Sequence, residues 1–104
     1  MTNTYQSRVE AVVYGMLDGL EQRPRMYGTC LEAVEAQYWT LLHVLGAGYE
    51  LDPDVIRDTF HRITVAKVGG GCDSFLWSRC KTMDELVSGL REIRTAVEAL
   101  RPMK

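Results

Sequence analysis

Apolar residues recur at intervals of three and four along most of this chain, the spacing that gathers them on one face of a helix. Val9, Val12, Val13, Met16, Leu17 and Leu20 make the first such face. Ser7 with Glu10 has the S-x-x-E form of a capping box, and Pro24 pushes Arg23 to extended geometry, so this helix should end near Gln22. Gly15 and Gly19 lower its propensity and offer room for another helix to come close. A second box, Thr29 with Glu32, opens a stripe of Leu31, Val34, Tyr38, Leu41, Leu42 and Leu45, with Gly46 and Gly48 as its stop. Asp52 and Pro53 start a third helix, whose face is Val55, Ile56, Phe60 and Ile63. Residues 63–68 read either as its continuation or as a short strand; no strand partner is evident, so helix is favoured. Gly69-Gly70-Gly71 breaks the pattern, and Phe75, Leu76 and Trp77 fall in an irregular or short helical segment. Thr82 with Glu85 is the third capping box, followed by a seam of Met83, Leu86, Leu90, Ile93, Val97 and Leu100. The pattern predicts an all-α fold: a single domain over 1–104, a compact bundle of about four helices with a Gly-rich connection before the last.

Composition narrows the function classes. The chain has 104 residues, 46% hydrophobic and 25% charged, the common size of one domain. Twelve Lys and Arg against fourteen Asp and Glu leave a net charge of -2. That argues against a dedicated nucleic-acid binder, which carries a basic surface, and is too weak for a mimic of nucleic acid. Cys30, Cys72 and Cys80 are odd in number, which suits a reducing compartment. The first eight residues lack the layout of a signal peptide, and no apolar run approaches the roughly 20 residues of a membrane span. The expectation is a cytoplasmic protein without membrane association.

The most distinctive local feature is the basic connection Arg23-Pro24-Arg25-Met26-Tyr27-Gly28. Arg23 and Arg25 beside a helix start at Thr29 form a candidate anion site, because free amides and the helix dipole both favour negative charge there. The alternative is a loop with solvated arginines whose Met26 and Tyr27 plug the core. This segment resembles the arginine-proline-x-methionine-tyrosine stretch near the N-terminus of type II topoisomerase ATPase subunits of the gyrase B kind. Similar stretches occur in small bacterial proteins of immunity or defence-associated type. The resemblance implies a bacterial or phage protein with a related helical element. Those ATPases place a catalytic glutamate and a magnesium-binding asparagine on the following helix; here it reads Glu35-Ala36-Gln37-Tyr38-Trp39-Thr40-Leu41-Leu42-His43, so ATPase activity is not implied.

The other candidates are ordinary. Gly69-Gly70-Gly71-Cys72-Asp73-Ser74 lacks the terminal Gly-Lys-Ser/Thr of a phosphate loop, since the nearby Lys67 precedes the glycines. Cys72 and Cys80 are seven residues apart, outside the paired spacings of structural zinc, and His43 and His61 complete no activating constellation. Asp52, Asp54 and Asp58 suit the positive end of a helix. No catalytic residue, cofactor or metal is therefore expected. In the last helix Arg91, Arg94 and Arg101 alternate with Glu92 and Glu98 as a solvated mixed-sign face, while its apolar seam packs within the chain or against a second copy. The expected function is non-enzymatic: binding a protein partner or forming a homodimer through helical surfaces. Tyr27, Tyr38, Trp39 and Trp77 are the candidate interface anchors, because large amphipathic rings dominate binding hot spots. The competing expectation is a small-anion or nucleotide-phosphate binder built on Arg23, Arg25 and Thr29.

Overall fold

The computed structural model describes residues 4–69 and 76–101, with side chains from Ser7 onward. Among the described residues there are four long helices, one short one and no strand: α1 (Thr4–Gln22), α2 (Leu31–Gly48), α3 (Pro53–Val68), α4 (Leu76–Arg79) and α5 (Met83–Glu98). A 3-10 turn, Pro24–Met26, links α1 to α2. This is the all-α bundle that the periodicity predicts.

The helix α2 is the hub, packing against α1, α3, α4 and α5. Its position explains its sequence, because Val34, Tyr38, Leu41, Leu42 and Leu45 are all buried and meet apolar side chains from several directions. Leu17 and Leu20 of α1, Ile56 and Phe60 of α3, Leu76 of α4 and Leu86, Leu90, Ile93 and Val97 of α5 close the same core. The α5 seam is thus consumed inside the chain, leaving Leu100 partly exposed at its end. Residues 63–68 lie wholly in α3, where Thr64 is buried and its hydroxyl donates to the Phe60 carbonyl at 2.8 Å. Ile63 and Thr64 face inward while Val65, Ala66 and Lys67 face solvent, a helical rather than an alternating pattern.

The caps divide. Asp52 caps α3, its Oδ1 accepting from the Asp54 amide at 2.9 Å, and Thr82 caps α5, its Oγ1 accepting from the Glu85 amide at 3.2 Å. Glu85 reaches back to the Lys81 amide at 3.0 Å, one residue beyond the usual target. The other two boxes do not form. α1 already begins at Thr4, which puts Ser7 inside the helix. α2 begins one residue later than expected, with Cys30 as its extended N-cap and no side-chain cap bond. There Gly28 lies so close to α2 that a Cβ on it would stand 2.9 Å from the Ala33 Cβ, and this approach fixes how the chain enters the helix.

The glycines also take unexpected roles. No helix crosses at Gly15 or Gly19: Gly15 faces open space, and Gly19 receives the Tyr27 ring, whose hydroxyl would lie 2.4 Å from an added Cβ. Gly46 is not a stop but a buried seat for Ile56, whose Cδ1 would be 2.6 Å from a Cβ there. The stop is a pair of bonds, Glu50 amide to Ala47 carbonyl at 3.0 Å and Leu51 amide to Gly46 carbonyl at 2.9 Å. That is the Schellman arrangement, with Glu50 rather than glycine in the left-handed conformation at φ 63°.

On the α5 face expected to be solvated, Arg91, Glu92 and Arg101 are exposed, but Arg94 is a clamp onto α1. The Arg94 side chain is only 15% exposed; it pairs with Asp18 at 2.7 Å and with Glu21, while Arg91 meets Glu21 at 2.8 Å. Tyr38 of α2 donates its hydroxyl to Glu21 at 3.1 Å, so the cluster joins three helices. Burial works against the Arg94 charge, but hydrogen bonds to Asp18 and Glu21 outweigh it and hold the guanidinium above its ordinary pKa.

Candidate binding cleft

One face of α2 turns away from the α1 side and carries Glu32, Glu35, Ala36, Trp39 and Thr40, positions that helical spacing places in one strip. α4 lies across this strip and contributes Trp77, enclosing a cleft of about 310 Å³. Both indoles are half-buried. Trp39 is held from behind by Phe60, edge-on with ring centroids 5.0 Å apart, and by the His43 ring at 4.5 Å. These rings support Trp39, which also lines the cleft.

Glu35 is the unusual member. It is 3% exposed, and its Oε1 accepts from the Trp77 amide at 2.6 Å. The Leu76 amide bonds the same carboxyl. A helix of four residues has almost no internal hydrogen bonds, so its first amides need an outside acceptor, and Glu35 supplies one from α2. Burial pushes the Glu35 carboxyl up from 4.5 to about 7, against the lowering effect of the Trp77 and Leu76 amides. Nearby, burial first and then the negative charges of Glu85 and Glu35 push the Cys80 thiol up, which disfavours its thiolate.

The sequence-predicted residues scatter. Trp39 and Trp77 come together in this cleft. Tyr38 is fully buried, bonded to Glu21, and presents no surface to a partner. Tyr27 is half-buried over Gly19, and its carbonyl accepts from Gln37 at 2.5 Å. Met26 does not plug the core; it is 74% exposed, because the 3-10 turn points it outward. Arg23 and Arg25 are exposed and line a second, more open hollow of about 440 Å³. That hollow is completed by Thr82, Met83 and Asp84 at the start of α5, so the arginines face that helix end and not Thr29. Thr82 is already occupied as the cap there, and Asp84 contributes a carboxylate. Gly70 to Phe75, including Cys72 and most of the glycine-rich segment, lie outside the described residues.

Glu35 was missed by reasoning from sequence, yet it left a mark. It follows Leu31 by four residues and precedes Tyr38 by three and Leu42 by seven, a core position that a charged side chain occupies only when paired. Among the described residues no three His, Cys, Asp or Glu side chains gather as metal ligands, and no helix is long and apolar enough to cross a membrane. Compared with known proteins, the chain matches no family model, no curated protein and no solved structure, so its own cleft geometry carries the functional argument.

Proposed function

We propose that this chain is a non-enzymatic binding protein that engages a protein partner through the Trp39–Trp77 cleft. The observation that carries this reading is the pairing of two half-buried tryptophans from separate helices around one open hollow of about 310 Å³. A rigid indole wall with a polar floor is the makeup of an interface hot spot, and the volume suits a single inserted side chain. The polar groups at hand favour binding over catalysis. The Glu35 carboxyl is engaged by two backbone amides, and the Thr40 hydroxyl donates to the Ala36 carbonyl at 3.1 Å. The arginine-lined hollow supports an anion less well, since both arginines are exposed and Asp84 opposes negative charge. The odd number of cysteines supports the cytoplasm as its setting.

Selection of a displayed random-peptide library tests the proposal. Thr40→Arg places a long side chain at the exposed cleft rim without touching the core, and serves as the counter-screen. Peptides enriched on the wild type, lost on Thr40→Arg and shifting the indole N–H resonances of Trp39 and Trp77 are expected. Peptides that bind both proteins equally, or no enrichment, would overturn it.

A further inference from the structure

Resting on that reading of the cleft as a docking site, we infer that the side chain it takes is an arginine from a basic segment of the partner. The charged residues lining the cleft are Glu32 at the rim and Glu35 in the floor, both acidic, between indole walls. Indole faces attract a cation and a planar guanidinium stacks on them, while carboxylates accept its N–H groups. A carboxylate offers about four acceptor positions, so the Trp77 and Leu76 amides leave Glu35 with capacity for a donor arriving from the cleft. A lysine ammonium supplies the charge without the planar stack, and an acidic or phosphorylated partner would meet two like charges.

Glu35 is not needed as a carboxylate for the cap itself. A glutamine oxygen still accepts from the Trp77 amide, so the negative charge is an addition to what that bond requires. Glu35 lines the described hollow that both tryptophans share.

The test uses two blocked tripeptides that differ in one group, Gly-Arg-Gly and Gly-citrulline-Gly, titrated into the whole chain and followed by the Trp39 and Trp77 indole resonances. Citrulline keeps the length and planarity of arginine and removes its charge. The arginine peptide should bind about tenfold more tightly than the citrulline peptide. Glu32→Gln, an exposed change, and Glu35→Gln, an isosteric one, should each weaken arginine binding several-fold while leaving the citrulline titration unchanged. Equal affinity for the two peptides would overturn the arginine inference and leave the docking site standing on its selected peptides. If neither tripeptide nor any selected peptide moves the indole resonances, the docking site fails as well.

Discussion

Replacing Glu35 by glutamine should make the protein more stable in alkaline solution and leave it nearly unchanged in acid. The carboxyl titrates near 7 in the folded chain against an ordinary 4.5. The folded state therefore keeps a proton that the unfolded state has lost between those two values, and stability falls as the pH rises through that window. Above about pH 7 the loss is complete. A displacement of that size corresponds to about 3 kcal/mol against the charged form. Water in the open cleft screens the carboxylate, and we expect about 1–2 kcal/mol to survive. Glutamine retains the acceptor for the Trp77 amide and removes the charge. Urea denaturation of both proteins followed by circular dichroism, near pH 5 and near pH 8.5, isolates this group, because every other titration is common to the pair. Glu35→Gln should exceed the wild type by about 1–2 kcal/mol near pH 8.5, or roughly 5–10 °C in Tm for a domain of this size. The advantage should shrink to under about 1 kcal/mol near pH 5 and vanish as the pH falls below 4.5. The same difference at both pH values, or a less stable variant in alkali, would refute the assignment of the raised carboxyl to Glu35.

The packing makes further predictions. Gly15→Ala, on a face with nothing within reach, should gain up to about 1 kcal/mol in thermal denaturation. Gly46→Ala should lose about 1–3 kcal/mol, because the new Cβ overlaps the Ile56 side chain. Glu50→Gly relieves a left-handed residue at the end of α2 and should raise stability by about 1 kcal/mol. Arg94→Met removes one partner of a Glu21 side chain that is 9% exposed but leaves it Arg91 and the Tyr38 hydroxyl, and should cost about 1–2 kcal/mol by urea denaturation. Millimolar pyrophosphate should shift the Tm by less than about 1 °C; a larger shift abolished by Arg23→Ala with Arg25→Ala would turn the functional reading to the arginine hollow.

The helices themselves were legible because each buried stripe repeats over several turns, and Asp52 and Thr82 sit directly before theirs. The failed caps show the limit. Ser7-x-x-Glu10 and Thr29-x-x-Glu32 satisfy the same spacing as Thr82-x-x-Glu85, but a spacing marks where a helix is able to start and not where packing makes it start. The cleft was half legible. Trp39 and Trp77 stood out as large amphipathic rings, whereas their meeting depends on α4 crossing α2, a contact between residues far apart in the chain. The Arg94 clamp was hidden for the same reason: alternating charges on α5 look solvated until α1 is seen to lie beside them.

In the proposed docking cleft, Glu35 is the residue that ties stability to binding. Along α2 its position belongs to the buried stripe, where an apolar side chain would leave the α4 amides without an acceptor and glutamine would keep the bond to the Trp77 amide. The carboxylate does worse than glutamine for folding once the pH exceeds its raised pKa. What it alone provides is a carboxyl that lines the cleft with two indoles and carries a negative charge above its raised pKa. A residue that costs stability when charged and is held by backbone amides is what a preorganised cation site requires, because the carboxyl is already in place before the ligand arrives and a bound cation favours its charged form. The two experiments on Glu35→Gln therefore belong together. A variant that gains stability in alkali and at the same time loses its preference for arginine over citrulline shows the carboxylate serving the ligand at the expense of the fold. A variant that gains stability and keeps the preference assigns the selectivity to Glu32 and the indoles, leaving Glu35 as a cap alone.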